Sequence, residues 1–448
     1  MAKSAGSDPT VGCSDHGTAV GVLRVITPAE LPGRARPAFD PEVLEGVRAI
    51  VERVRAEGDG ALVELTLRFD GVDVAGRIEV PAGELASAAA ELPQELRAGL
   101  DAMHERLREL HARQLPRPWE AERDGVRYAE TVRPVSAAGA YVPGGRAAYP
   151  STVLMTAVPA RVAGVERVVL CTPPGPDGSV PAAVRYAARL AGVDAVYRIG
   201  GAQAIAALAF GTETVGAVDL IVGPGNPWVT AAKREVAGVV GIDGLAGPTE
   251  LVVVADSSAD PAVLAADLVA QAEHDPLARV VLVCLDPALP DRVGPALAAE
   301  VEASPRRAIV ETALRDSTAV VVDGERRAAM VADLVAPEHL QIVTRDPAGM
   351  LGRCTSYGAA FLGASTPVAL GDYGVGSNHV LPTMATARFA SGLRAADFVR
   401  VSSVVEATRR GLDAHGDEVE RIARAEGLPG HARAVEVRRT GSVGPPEA

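Results

Sequence analysis

The sequence predicts an α/β protein built on two parallel sheets, and three observations carry that prediction. From about Arg133, β-rich runs alternate with glycine turns and alanine-rich helices: VERVVLCTPPG, VPAAVRYAARLAG, AVYRIGGAQAIAALAFG, then VDLIVGPGNPWVTAAKREVAG. Strand, glycine turn and helix recurring about every 25 residues read as βαβ units, which make successive strands parallel. A second block repeats the pattern with ELVVVADSS, a helix from Asp260 to about His274, and RVVLVCLD, followed later by AIVE, TAVVVDG and GAAFLG. The chain has 448 residues, and at about 100–200 residues per domain it accommodates more than one core.

The remaining elements follow in order. Residues up to about Gly21 are small and polar and predict a tail. From Pro41, the apolar residues Val43, Leu44, Val47, Ile50, Val51 and Val54 recur at three- and four-residue spacing, which predicts a helix. Gly58-Asp59-Gly60 ends it. PQELRAGLDAMHERLRELHARQL predicts a second amphipathic helix, and the chain from about Ala395, containing VVEATRRGLDAHGDEVERIARAEG, predicts a helical C-terminal segment.

Composition excludes several function classes. The formal net charge is −13, aromatic residues make up 3%, and no basic block interrupts the chain. A protein that tracks phosphates or stacks bases needs the opposite, so no nucleic-acid partner is expected. Cys13, Cys171, Cys284 and Cys354 lie far apart, which argues against a disulfide framework or a thiolate zinc site and suits a reducing cytoplasm. No apolar run is long enough to span a bilayer, and the first twenty residues lack the apolar core of a secretory signal. No membrane partner is expected, and a soluble cytoplasmic protein is.

Candidate chemistry concentrates in a few segments. His16 lies in the tail, and His104, His111 and His415 lie in charged helices, where solvated surface positions are expected. His274 ends AVLAADLVAQAEHDP, and Gln271 falls in line with Leu264 and Leu268 on the apolar stripe. Residues three apart share a face, so Gln271 and His274 read either as a metal-binding pair or as a polar helix end. Glu338-His339 in LVAPEHLQIV reads either as a base with a proton relay or as an exposed pair in a helix-initiating turn. In ALGDYGVGSNHVLPT, three glycines and Asn378 impose an irregular backbone around Asp372 and His379, either for binding or as a tight turn. GPGN in VDLIVGPGNPWVTAAK and GGAQ in GGAQAIAALAFG sit at strand-to-helix turns. Backbone amides there suit a phosphate or pyrophosphate, although neither matches G-x-G-x-x-G and ordinary turns remain the alternative.

Taken together and in order, these segments resemble the histidinol dehydrogenase family: YVPGG (141–145), GGAQAIAALAFGTE (200–213), GPGN (223–226), GIDGLAGPTE (241–250), DLVAQAEHD (267–275), PEHLQI (337–342), GDYGVGSNHVLPT (371–383) and EGLPGHARAVEVR (426–438). The likeness runs from about residue 40 to 440. It implies two incomplete Rossmann-like parallel-sheet domains plus small terminal helical segments, in an intertwined homodimer. The implied division is a tail at 1–34, a discontinuous first α/β domain (35–140 with 249–393), a second at 141–248, and a C-terminal helical segment at 394–448 reaching the partner subunit.

The activity implied is oxidation of L-histidinol to L-histidine through histidinaldehyde, with two NAD⁺ and one Zn²⁺ per subunit, as the last step of histidine biosynthesis. Matching residue by residue, Gln271, His274, Asp372 and His431 fall on the zinc ligands, and Glu338 and His339 on the catalytic pair. Thr249, His379 and Glu426 fall on substrate contacts, together with Gln271, His274, His339, Asp372 and His431. Tyr141, Gln203 and Asn226 fall on NAD contacts. His431 and Glu426 are implied to serve the neighbouring subunit's site.

Three features depart from the usual family pattern. Thr249 stands where serine is common, Gln341 stands where glutamate is common, and Gly363–Thr366 differ ahead of Asp372. Tyr373 of the GDY motif is retained; relatives that oxidise other hydroxylated substrates lack it. Two alternatives accompany the first reading: a paralogous NAD-dependent dehydrogenase of another amino or sulfonated alcohol, and a non-redox zinc protein on the same fold.

Overall fold

The computed structural model describes residues 23–31, 39–144 and 148–441. Cys13, His16, most of the expected tail and Gly145 of YVPGG lie outside the described residues. The chain forms two compact units.

Unit one comprises Gly244–Tyr373, Leu381–Gly392 and the described part of Met1–Phe39. Its six-stranded sheet has the order Arg24–Ile26, Thr318–Val321, Arg279–Cys284, Glu250–Ala255, His339–Val343, Ala359–Leu362, and every pair is parallel. ELVVVA and RVVLVC are nearly continuous apolar runs because a parallel sheet is covered on both faces. Side chains alternate between those faces. Leu251 and Val253 pack with Leu264 and Leu268 of helix Pro261–Ala272, whereas Val252 and Val254 pack with Val331 and Val335 of helix Glu325–Val335.

Unit two comprises Asp40–Asp243, Gly374–Val380 and the described residues from Leu393 onward. Its five-stranded parallel sheet runs Ala195–Arg198, Arg167–Thr172, Ala137–Tyr141, Leu220–Val222, Gly241–Ile242. Helix Pro41–Glu57, expected from its spacing, packs on helices Gly201–Phe210 and Pro227–Val236. Helix Gln94–Ala112 buries Leu100, Met103 and Leu107 against helix Pro150–Val162.

Both parallel sheets agree with the sequence, but four expectations differ. AIVE, expected among the strands of the second block, lies within helix Arg307–Arg315. Residues 40–140 pack with the second sheet, whereas the expected division joined 35–140 to 249–393. An apolar helix stripe declares that it is buried, not which sheet it covers. The C-terminal segment, expected to be helical from about Ala395, contains the strand Val399–Ala407. That strand pairs antiparallel with Val126–Pro134, which pairs in turn with Trp119–Arg123. Helices Arg409–Ala425 and Pro429–Thr440 follow as expected.

His111, expected at the surface, is fully buried. Its Nδ1 lies 2.7 Å from Gln114 Oε1, and its Nε2 lies 3.3 Å from the Asn378 amide nitrogen. An amide N–H offered to Nε2 makes that nitrogen the acceptor, so the ring is neutral with its hydrogen on Nδ1. Burial holds its pKa below the ordinary value of 6.5. The unfolded chain therefore takes up a proton at a pH where the folded chain does not. The His111 contribution to stability should fall as pH drops below about 6.5, and His111→Gln should remove that component; the difference in urea midpoint between parent and variant across pH measures it.

Candidate active site

Unit one gathers its polar residues at the amino-terminal edge of its sheet. Thr249 and Glu250 open strand Glu250–Ala255, and Glu338 precedes His339 at the start of the neighbouring strand His339–Val343. His339 pairs in register with Leu251 on one side and Ala359 on the other. Helix Pro261–Ala272, packed on the sheet between two of its parallel strands, returns to the same edge and brings Gln271 there. Ahead of Glu338, helix Glu325–Val335 ends at Ala336, a buried non-glycine residue at φ +48°. Such a conformation costs about 1–3 kcal/mol and persists only where its surroundings hold it.

One hydroxyl links three of these side chains. Thr249 Oγ1 donates to Glu338 Oε2 at 2.5 Å and accepts from Gln271 Nε2 at 2.5 Å. Glu338 Oε2 also accepts the Glu250 backbone N–H at 3.2 Å. Glu338 is 8% exposed and His339 4%. Burial pushes the Glu338 carboxyl up to about 7, with the Thr249 and Glu250 hydrogen bonds opposing it. Burial pushes the His339 imidazole down to about 4. Neither His339 nitrogen has a hydrogen-bond partner of ordinary geometry: Nδ1 is 3.7 Å from Glu338 Oε2 and Nε2 is 3.9 Å from Asp372 Oδ1. A neutral imidazole and a carboxyl near neutrality form a pair able to take and return protons.

A second group of atoms suits a metal. Gln271 is 2% exposed and its Oε1 is buried without a hydrogen-bond partner. His274 Nε2 lies 4.0 Å from Asp372 Oδ2, too far for a hydrogen bond. Among the described residues no group of three or more His, Cys, Asp or Glu side chains makes a metal site. The oxygen and nitrogen donors suit zinc.

Unit two holds the other expected site residues. The Tyr141 hydroxyl accepts the Gly201 N–H at 3.1 Å, which joins Tyr141 to the GGAQ turn that carries buried Gln203. Asn226 caps helix Pro227–Val236 by accepting from the Trp228 and Val229 amides. Gly223 of GPGN has φ +116°, and a Cβ there would meet the Tyr141 carbonyl oxygen at 2.1 Å, so only glycine fits. His379 Nε2 lies 3.1 Å from Thr152 Oγ1. Glu426 and His431 are exposed on the C-terminal helix pair.

Several supporting contacts escaped the sequence reading, in which Gln341 stood out only as a departure from the family pattern. Buried Lys233 bonds the Gly223 carbonyl at 2.9 Å and pairs with Asp243, whose other oxygen accepts the Gly223 N–H at 2.7 Å. Glu250 is buried, its carboxyl is pushed up to about 7 by burial, and it accepts the Met384 N–H. Asp267 Oδ2 accepts Gln341 Nε2 at 2.5 Å. Asp267 lies one helical turn before Gln271, and Gln341 two strand residues after His339, so this bond ties helix to strand beneath the site. An isolated polar residue within an apolar run was the available signal for Asp267 and Gln341. Lys233 with Asp243 left no spacing signal.

Fold and site together define an α/β protein with a buried acid–imidazole pair beside the unpartnered carbonyl of Gln271. The family model for histidinol dehydrogenase matches residues 34–439. Histidinol dehydrogenase of Synechococcus sp. is 48% identical over 88% of this chain and 91% of its own. That of Parasynechococcus marenigrum is 49% identical over 91% and 94%. The crystal structure of histidinol dehydrogenase from Elizabethkingia anophelis superposes with a TM-score of 0.89 at 34% identity, covering 93% of this chain and 98% of that one. The chain belongs to the histidinol dehydrogenase family, and it is an oxidoreductase.

Replacing Gln341 by leucine leaves the Asp267 carboxylate buried without its donor. A loss of about 1–3 kcal/mol is expected, read as a shift of the urea unfolding midpoint with unchanged slope.

Proposed function

We propose that this protein oxidises L-histidinol to L-histidine in two NAD⁺-linked steps, as a zinc-dependent homodimer of the cytoplasm. The observation that carries the reading is the convergence in unit one of the Glu338–His339 pair with the orphaned Gln271 carbonyl, His274 and Asp372. Family membership over nearly the whole chain supports the substrate.

In this reading Gln271, His274 and Asp372 hold zinc, with His431 contributed by the neighbouring subunit. Bound there, zinc would supply a fixed Lewis-acid anchor for orienting the substrate. His339, neutral through burial, accepts the alcohol proton as the first hydride leaves for NAD⁺ and the aldehyde forms. Glu338 then draws a proton from water as its oxygen adds to the aldehyde carbon. The second hydride leaves for a second NAD⁺, giving the carboxylate. Across both steps one water enters, and two NADH and three protons leave. Thr249, His379 and Glu426 contact the substrate. Tyr141, Gln203 and Asn226 contact the dinucleotide, and the GPGN turn offers helix-terminal amides to its phosphates. Exposed Val401, Val405, Ile422 and Leu428, in the segment that carries Glu426 and His431, support a subunit interface there.

The test is NADH yield with zinc-loaded protein. Two NADH per histidinol are expected, lost on chelation and restored by zinc. No NADH from histidinol, or NADH only from another amino or sulfonated alcohol, contradicts the proposal. Glu338→Gln should slow oxidation of supplied aldehyde by about 10²–10⁴-fold, with a smaller effect on alcohol oxidation, as resolved by single-turnover kinetics.

A further inference from the structure

The Thr249 hydroxyl has one hydrogen to give, and Glu338 Oε2 takes it. Towards Gln271 that hydroxyl can act only as an acceptor, and it meets the amide NH₂ at 2.5 Å. The other end of the amide, Oε1, is then the buried atom without a partner. Turning the amide over would set Oε1 against an oxygen whose hydrogen is already committed. It would also put NH₂ where Oε1 now stands. With Glu338 as the carboxylate the chain has one direction at its far end, because Oε2 then has no hydrogen to give and accepts both the Thr249 hydroxyl and the Glu250 backbone N–H. The Glu338 carboxylate thus sets the polarity of the relay, from Gln271 through Thr249 to Glu338.

We propose that Thr249 is a positioning residue that fixes which end of the Gln271 amide faces the metal, presenting the carbonyl oxygen and turning the NH₂ away. This rests on Gln271 being a ligand of a divalent cation, as in the function proposed above. It gives Thr249 a role before any substrate is present. An NH₂ cannot ligate a cation, whereas a carbonyl oxygen can. The branched side chain adds stiffness at χ1, which holds the hydroxyl on the line between Gln271 and Glu338.

The experiment is zinc titration of metal-free protein against a chromophoric chelator, without substrate or NAD⁺, for the parent, Thr249→Ser, Thr249→Val and Thr249→Ala. Parent and Thr249→Ser should agree within about threefold, because both keep the hydroxyl. Thr249→Val and Thr249→Ala should lose about 10–100-fold in zinc affinity, the usual cost of removing a partner that orients a ligand. Thermal midpoints of the metal-free proteins identify any variant that fails to fold, and the alanine form serves if the valine form does. Val or Ala variants that hold zinc as the parent does overturn the inference, and so does a serine form as weak as they are. A parent that binds no zinc contradicts the proposed function itself, which separates the two failures.

Discussion

Desolvation of two adjacent side chains, Glu338 and His339, is the constraint on which the rest of unit one depends. A buried carboxyl and imidazole are expensive unless their charges are suppressed or their atoms are bonded. The protein does both. The carboxyl is pushed towards neutrality and takes the Thr249 hydroxyl and the Glu250 amide. The imidazole is driven to its neutral form. His339 is locked between two parallel neighbours by backbone pairing, so its ring is placed by the sheet. Glu250, Thr249 and Gln271 then follow from the need to bond what the sheet has buried.

The two units use opposite ends of their strands. In unit one the polar residues sit at the amino-terminal edge, where helix Pro261–Ala272 returns with Gln271. In unit two the glycine turns GGAQ and GPGN follow the carboxyl ends of strands Ala195–Arg198 and Leu220–Val222, the usual ligand edge of an open α/β sheet. The same architecture thus supports two kinds of polar edge, one of side chains and one of backbone amides. The Lys233–Asp243 pair serves the second kind by bonding both polar groups of Gly223.

Both sheets were legible in the sequence because buried parallel strands read as nearly unbroken apolar runs between glycine turns. Gln271 was legible for a related reason: an amide on the Leu264–Leu268 stripe has to meet something polar. Elements whose environment is set by distant chain were not legible. His111 looks like one more polar residue on a charged helix until Asn378, 267 residues away, supplies its partner. Strand Val399–Ala407 is largely exposed and carries no buried run, so it blended into the helix that follows. Glu338-His339 fitted a helix-initiating turn equally well. Only pairing of His339 with Leu251 and Ala359 makes it the head of a buried strand. Family resemblance named the site residues, but the direction of the Gln271–Thr249–Glu338 chain required coordinates.

The most direct test of the account is diffraction from crystals of the zinc-loaded protein at the zinc absorption edge. The account predicts one anomalous peak per subunit, within about 2.0–2.2 Å of Gln271 Oε1, a His274 ring nitrogen and an Asp372 carboxylate oxygen. No sulfur ligand and no amide nitrogen should approach it. A peak beside Gln271 Nε2, a peak at a cysteine, or full zinc occupancy away from these three residues would contradict it.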